Sequence, residues 1–298
     1  MKITNKYNLP QTVVRAVSYD EHRKAGDVSV TELIQPSQIT YLKRQHADQI
    51  EADAADLLYV LDGKADHYTL SLSAQPDIEL SEFTLTTHVD RVEVYGTLDL
   101  FDLEGTITDY KRTSVWQFLL DEKVEWEQQI NLYATLLRRK QLVGELPSQF
   151  LNVPIVKAQV IGLLRDHQLS KVEEEGNYPA HPIMQRELRL WPPAEGESFL
   201  EQRVQLWRNI SMGLYKDCTP EERWAKPDTW AVKKRGGTRA VTDGIHSSLA
   251  AAESFAEGRP YGTEIEYRPG RSTRCERYCM VSRWCSQWAK IQGGEKLE

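Results

Sequence analysis

The chain has 298 residues, with 37 Lys and Arg against 44 Asp and Glu, and a formal net charge of −7. This acidic balance argues against a generally basic protein that coats nucleic acid, although a local cleft can still attract DNA. The first ten residues are polar and no apolar run is long enough to cross a bilayer, which predicts a cytoplasmic, reducing setting. The length allows one sizeable core plus an appended lobe.

Two helices are predicted before the first long strands. One begins near Ser37, and the other covers residues 53–72 and carries Gly63-Lys-Ala-Asp-His67. Glycine costs about 1 kcal/mol inside a helix. Gly63 is therefore explained if another backbone or a DNA strand must approach this helix closely.

The next stretch predicts a β-hairpin that carries acidic residues. Its first strand contains Gly96-Thr-Leu-Asp99, a turn follows at Gly105, and its second strand contains Asp109-Tyr-Lys111. Asp109 and Lys111 are two residues apart, so both side chains point to one face of the strand. Folding at the turn can bring Asp99 to the same place.

Two converging carboxylates have a chemical meaning. They repel each other unless a cation intervenes, and Mg²⁺ prefers oxygen ligands of this kind. A lysine beside the ion can position or deprotonate an attacking water and stabilise negative charge on a phosphate. The pattern therefore indicates metal-assisted phosphodiester hydrolysis, and the alternative is an Asp–Lys pair on a solvated hairpin.

A long helix over residues 122–140 is predicted next, with Gln129 and Tyr133 on one face because they are four residues apart. A strand over residues 148–164 and a helix over residues 197–215 follow. Basic and hydroxyl side chains after the hairpin, and a basic Gly-Gly hairpin further on, suit a DNA backbone or a solvated surface. These candidate DNA contacts are Arg112, Thr113, Ser114, Lys233, Lys234 and Arg235.

All four cysteines lie in the last third of the chain. Cys275, Cys279 and Cys285 are closely spaced, and Cys218 stands apart. Three near cysteines with a distant fourth are a ligand set for an iron–sulfur cluster or a structural Zn²⁺. The alternative is four reduced cysteines without a metal.

Four of these motifs, in order within residues 63–133, resemble the PD-(D/E)XK nuclease superfamily in its RecB-like and phage exonuclease branch. The family pattern runs G-x-x-x-H, G-x-x-D, D-Y-K-x-x-S and Q-x-x-x-Y, and this chain supplies the motifs from Gly63, Gly96, Asp109 and Gln129. The cysteine tail is similar to the clasp of RecB-like nucleases such as AddB.

The resemblance implies an α/β (α+β) fold, a restriction-endonuclease-like core with a mixed central sheet flanked by helices. That core would span residues 51–215, after an N-terminal segment of residues 1–50. A small α+β lobe with the four cysteines would cover residues 216–298. The expected element order of the core is αβββαβ.

The resemblance also implies roles for the site residues. His67, Asp99, Asp109 and the Tyr110 carbonyl would bind Mg²⁺ or Mn²⁺, and Lys111 would act on the water and the scissile phosphate. Gln129 and Tyr133 would orient the site and the DNA strand. The cysteines would hold a [4Fe-4S] cluster, which we favour over Zn²⁺.

The expected function is a metal-dependent DNA exonuclease that acts on double-stranded ends in phage-type recombination. It would work in the cytoplasm of a bacterium or a phage-infected host cell, beside a recombinase or an annealing protein. A DNA-binding protein with an inert nuclease fold and a structure-specific endonuclease are the alternatives.

Overall fold

Alternating apolar residues on its long strands organise the larger part of the chain around one β-sheet. The computed structural model describes residues 2–18, 25–120, 124–174, 176–257, 259 and 262–294. The strands, in chain order, are β1 (Lys2–Thr4), β2 (Val28–Ser29), β3 (Glu51–Asp53), β4 (Glu79–Val89), β5 (Val92–Asp102), β6 (Thr106–Thr113), β7 (Lys157–Leu164), β8 (Ile183–Leu188), β9 (Ala225–Lys226), β10 (Thr229–Lys234), β11 (Ala240–His246), β12 (Thr263–Arg268) and β13 (Arg271–Ser272).

The helices surround this sheet and continue into the C-terminal part of the chain. They are α1 (Gln11–Ser18), α2 (Val30–Leu33), α3 (Ser37–Gln45), α4 (Leu58–Ser73), α5 (Val115–Leu120), α6 (Val124–Val143), α7 (Leu169–Glu174), α8 (Pro193–Ser211), α9 (Leu249–Glu257) and α10 (Ser286–Gly294). In the described part of the chain, no helix combines the length and the apolar run that a membrane crossing needs.

The chain forms two compact units. The first unit comprises residues 1–35 and 48–214, and the second comprises residues 36–47 and 215–298. The segment predicted as one N-terminal piece, residues 1–50, is therefore divided, because α3 belongs to the second unit. The second unit begins again at residue 215, beside the predicted boundary.

The first unit is built on a mixed sheet in the order β2-β5-β6-β7-β8, with β4 paired to β5. Strand β5 runs antiparallel to both β4 and β6, whereas β6 and β7 are parallel. The prediction of a mixed central sheet flanked by helices is confirmed. The order α4, β4, β5, β6, α6, β7 follows the expected αβββαβ.

The buried face of α6 packs on this sheet. Ile130, Leu136 and Leu137 of α6 are fully buried and share one core with Leu98 and Phe101 of β5. A strand that is covered on one face normally alternates inward and outward residues. That alternation gives the core its regularity over most of β4 and β5.

Burial departs from strict alternation in the second half of β5. Val94 and Leu98 are buried before Asp99, Asp99 itself is buried, and Phe101 is buried after it. On the paired strand, Glu82 has a positive φ of 46° in the middle of β4. A left-handed backbone at a non-glycine residue inside a strand is rare and re-aims the side chains around it.

Three predicted element boundaries were wrong. The helix of His67 begins at Leu58, because residues 54–56 form a separate 3₁₀ turn. The strand predicted over residues 148–164 begins only at Lys157, after Pro154, since proline supplies no N–H for a ladder. The later helix runs from Pro193 to Ser211. Residues 122 and 123 of the predicted α6 lie outside the described residues.

The second unit contains a small sheet in the order β11-β10-β12 with α9 beside it. Its first two strands form the predicted hairpin, and Gly236 in the turn has a positive φ of 74°. Ala231 and Val232 of β10 and Ala252 of α9 are fully buried. This packing supports the lobe that holds the cysteines.

The two motif glycines differ in what surrounds them. A Cβ on Gly96 would lie 2.6 Å from Cε1 of Tyr133 and 2.9 Å from Cγ2 of Val30. A Cβ on Gly63 would meet nothing within 4 Å, so no described backbone explains that glycine. Gly96 is therefore required by packing, because it lets the tyrosine of α6 lie against β5.

We expect Gly96→Ala to lower the free energy of unfolding by about 1–3 kcal/mol, because an added methyl group overpacks the core. Gly63→Ala is the matched control and should raise it by about 0.5–1 kcal/mol, through higher helix propensity alone. Urea unfolding followed by circular dichroism measures both changes. Equal effects of the two substitutions would contradict this assignment.

Candidate metal and hydrolytic site

The candidate site lies where α4, three strands of the sheet and α6 meet in the first unit. α4 supplies His67, β4 supplies Glu82 and β5 supplies Asp99. Strand β6 contributes Asp109 and Lys111, and α6 contributes Gln129 and Tyr133. The predicted metal ligands and catalytic residues of the first unit thus reach one region, although they come from separate elements.

His67, Glu82 and Asp99 form a compact set of ligand atoms. Nδ1 of His67 lies 2.9 Å from Oε1 of Glu82 and 3.6 Å from Oδ1 of Asp99. One ligand atom from each residue lies within 4.8 Å of the other two. Because a single ring nitrogen faces both carboxylates, a cation between them would meet all three residues.

Lys111 connects Asp109 to α6. Its Nζ donates to Oδ1 of Asp109 and to Oε1 of Gln129, each at 3.0 Å. Nε2 of Gln129 in turn donates to the hydroxyl of Tyr133 at 2.9 Å. The motif glutamine therefore orients the lysine, and the tyrosine that packs on Gly96 orients the glutamine.

The two aspartates are nearly inaccessible to bulk water. Asp99 is 7 % exposed and Asp109 is 2 % exposed. Burial and the charge of Asp109 raise the pKa of Asp99 to about 7. The charges of His67 and Lys111, and a hydrogen bond to Asp99 Oδ2 from the backbone N–H of Tyr110 at 2.7 Å, only partly oppose this rise.

The same carboxylates act on the neighbouring basic and phenolic groups. The hydrogen bond to Glu82 raises the pKa of His67 to about 9, in spite of burial. Burial would lower the pKa of Lys111, but the charges of Asp109 and Asp99 outweigh it and raise that pKa. Burial also raises the pKa of Tyr133. Without a cation, the site therefore holds protons tightly.

The donor set fits a hard or borderline divalent cation. Within the described part of the chain, Oδ2 of Asp109 is buried and accepts no hydrogen bond, although Nζ of Lys111 forms an ion pair with it at 2.8 Å. Buried carboxylate oxygens of this kind are normally satisfied by a hydrogen bond or a metal. Carboxylates with one imidazole suit Mn²⁺ and can also hold Mg²⁺.

The arrangement of ligands differs from the sequence prediction in one respect. His67 and Asp99 were predicted together with Asp109 and the Tyr110 carbonyl, whereas the compact set contains Glu82 and not Asp109. Tyr110 reaches the site through its N–H, which donates to Asp99. Asp109 faces Lys111 and lies next to this set.

Glu82 was not among the predicted ligands. The structure shows how it joins them, since Val89 pairs with Val92 around Asp90 and Arg91, which both have positive φ values, as a two-residue hairpin turn requires. Counting back along this register places Glu82 directly opposite Asp99.

The candidate DNA contacts after the hairpin are engaged inside the fold. Nη1 of Arg112 donates to both carboxylate oxygens of Asp66 at 3.0–3.1 Å, which anchors α4 to β6. Thr113 is buried, and its hydroxyl donates to Gln117. A phosphate contact at Thr113 is therefore not supported, and one at Arg112 would compete with a carboxylate. Ser114 is half-buried and caps α5 by accepting from the N–H of Gln117.

The basic hairpin of the second unit is partly engaged as well. Nζ of Lys233 lies 3.7 Å from a carboxylate oxygen of Glu266 on β12. Lys234 and Arg235 are exposed at the end of β10 and in the turn that follows. A DNA contact at Lys234 and Arg235 stays a prediction, and one at Lys233 would compete with the carboxylate of Glu266.

The four cysteines line one cavity in the second unit, together with residues of α3. We call it the cysteine cavity; its walls include Cys218, Cys275, Cys279, Cys285, Arg223 and Arg274. No three of the four sulfur atoms lie within 4.8 Å of one another. Burial raises the pKa of Cys218 to about 12 and that of Cys275 to about 11, so these thiols hold their protons when no metal is bound.

Comparisons with known proteins add little to this geometry. No known protein family and no curated protein matches the chain in sequence. Among solved structures it is similar to the crystal structure of SSO0001, with a TM-score of 0.45 and 12 % sequence identity over 71 % of this chain and 89 % of that chain. A likeness of this size assigns neither a family nor an activity.

We expect the metal-free protein to lose stability as pH rises from about 4 to about 9. The pKa values of Asp99 and His67 are both raised, to about 7 and about 9, so the folded state binds more protons than the unfolded state in this window. Asp99→Asn should flatten the decline and raise the free energy of unfolding at pH 8 by about 2 kcal/mol.

Urea unfolding in EDTA at pH 5 and pH 8 measures this effect. Asp90→Asn is the control, because Asp90 lies in an exposed turn and its replacement removes the same charge. A parallel pH dependence in wild type and Asp99→Asn would contradict the prediction.

We expect Glu82→Gln to weaken Mn²⁺ binding by at least about tenfold, because it removes an anionic ligand from the compact set. Isothermal titration calorimetry measures the affinity. Glu79→Gln is the control on the same strand, since Glu79 accepts from the N–H of Gln75 outside the site. Equal Mn²⁺ affinity in wild type and Glu82→Gln would exclude Glu82 as a ligand.

Proposed function

We propose that the first unit hydrolyses phosphodiester bonds of DNA with a bound divalent cation, as an exonuclease of the PD-(D/E)XK type. The observation that carries the proposal is one arrangement. The His67, Glu82 and Asp99 ligand set lies beside a lysine that is fixed on the buried carboxylate of Asp109. A structural ion pair would not need three further ligand atoms beside it.

Each residue of the candidate site has a role in the proposed reaction. His67, Glu82 and Asp99 would hold Mg²⁺ or Mn²⁺, with Asp109 and the Tyr110 carbonyl as further ligands. When bound, such an ion lowers the pKa of a water and polarises the phosphate. Lys111 has three N–H donors, of which Asp109 and Gln129 fix the direction of two, and a third can stabilise negative charge on a phosphate oxygen.

Gln129 and Tyr133 act as positioning residues. They hold the lysine ammonium in one place, and this preorganisation avoids reorganisation during the reaction. Tyr133 also ties α6 to β5 at Gly96. Displacement of the lysine by 1 Å would cost a large part of the rate.

The distribution of charge favours DNA as the substrate, because the second unit is basic. The second unit has 17 Lys and Arg against 12 Asp and Glu, a net charge of +5, whereas the first unit has 20 against 32, a net charge of −12. A basic module suits the phosphate backbone. Double-stranded DNA with ends, and a recombinase or annealing protein that receives the product, follow from the resemblance to phage exonucleases.

We further propose a [4Fe-4S] cluster in the cysteine cavity. All four cysteines line this one cavity, which supports a group that they hold together. The resemblance to RecB-like nucleases favours an iron–sulfur cluster over Zn²⁺ as that group. Assembly would require the thiols to lose their protons, and burial raises the pKa of Cys218, Cys275 and Cys279 against this loss until a metal binds.

We expect Lys111→Ala to reduce cleavage by at least about a hundredfold, because it removes the charge that stabilises the phosphate. The assay follows linear and closed-circular double-stranded DNA with Mg²⁺ or Mn²⁺. Lys157→Ala is the matched control, since the β6–β7 register places Lys157 opposite Thr106 and five residues from the row of Lys111.

Loss of linear DNA only, abolished by Lys111→Ala, would establish the exonuclease. Cleavage of circles would move the assignment to a structure-specific endonuclease. If the wild type binds DNA without cleaving it, and Lys111→Ala binds DNA with the same affinity, the protein is a DNA-binding protein with an inert nuclease fold.

A further inference from the structure

The cysteine cavity carries positive charge in its wall. Arg223 and Arg274 line it together with the four cysteines. Four thiolates in a partly buried cavity would repel one another strongly, so cations in the wall stabilise any group that these sulfurs hold. The two arginines differ in how their guanidinium groups are used.

Arg274 is committed to contacts within the chain. Its Nη1 donates to the carbonyl of Glu222 at 3.0 Å, and its guanidinium lies 5.1 Å from the centre of the Trp224 ring. These contacts fix its orientation at the edge of the cavity.

Arg223 is anchored at one end and unsatisfied at the other. Its Nη1 donates to the hydroxyl of Ser272 at 2.7 Å, and Ser272 is buried. Its Nε is also buried, and among the described residues it has no hydrogen-bond partner. A buried guanidinium N–H without an acceptor is costly, so it indicates that an acceptor completes this site.

We propose that Arg223 donates from Nε to the anionic iron–sulfur cluster of the cysteine cavity and thereby raises its reduction potential. This inference rests on the cluster proposed above. Reduction adds one electron to a group that is already negative. A hydrogen bond and a positive charge beside its sulfurs therefore stabilise the reduced form more than the oxidised form. Arg223 would be a tuning residue and not a ligand.

The test uses the full chain, purified without oxygen, and three variants. Arg223→Gln removes the charge, whereas Arg223→Lys keeps the charge and removes the planar Nε donor. Arg277→Gln is the matched control, because Arg277 is exposed and lies between Cys275 and Cys279 in the chain. Iron and sulfide content, the visible spectrum and a redox titration followed by electron paramagnetic resonance are measured for each protein.

We expect Arg223→Gln to shift the reduction equilibrium at least tenfold toward the oxidised form, which is about 59 mV for one electron. Arg223→Lys should shift it in the same direction by less. Arg277→Gln should match the wild type in potential and in iron content. If Arg223→Gln does not retain iron, the shift in Arg223→Lys decides the question.

Equal potentials in the wild type and both Arg223 variants would overturn the inference, as would an equal shift in Arg277→Gln. Zinc without iron in the wild type would overturn both the cluster and this inference. That outcome is distinct from failure of the hydrolytic site, which the Lys111→Ala assay in the first unit tests separately.

Discussion

Asp99 and Asp109 lie almost fully buried on neighbouring strands, where two carboxylates repel each other and lose their hydration. Several groups of the chain offset part of this electrostatic cost. The N–H of Tyr110 and the imidazole of His67 approach Asp99, while Lys111 approaches Asp109. These partners leave an unsatisfied carboxylate oxygen and a set of open ligand atoms. The electrostatic conflict is therefore only partly relieved by the chain itself, and a divalent cation would complete the compensation.

The architecture around this pair follows from the need to hold it. Glu82 has a left-handed backbone, and Leu98 and Asp99 are buried in succession, so the strands depart from the regular pattern at this pair. Gly96 admits Tyr133, which connects the packing of α6 to the orientation of Lys111 through Gln129. Packing and candidate chemistry are thus joined through a few contacts. Strain that is kept at such a position is typical of functional sites, where the surrounding core supports it.

The two units differ in net charge and in the metal ligands that they offer. The first unit is acidic and offers oxygen and imidazole ligands, which suit hard cations. The second is basic and offers thiols, which suit softer metals and clusters. A helix from the N-terminal part of the chain, α3, belongs with the thiols, so the chain passes between the units more than once. This division explains why the net negative charge of the whole chain does not describe the second unit.

The sequence by itself predicted the basic hairpin and most residues of the candidate site, and its resemblance to a nuclease family implied the element order and the mixed sheet. Short motifs with fixed spacing place His67, Asp99 and Lys111 on identifiable faces, because helices and strands have definite periods. It did not determine that Glu82 joins the ligand set or that Thr113 is buried. It also did not determine that α3 packs with the cysteines. Each of these depends on contacts between segments distant in the chain, on a local break in strand alternation, or on both. Local periodicity carries no information about which segments meet. Tertiary packing alone decided the positions of Glu82, Thr113 and α3.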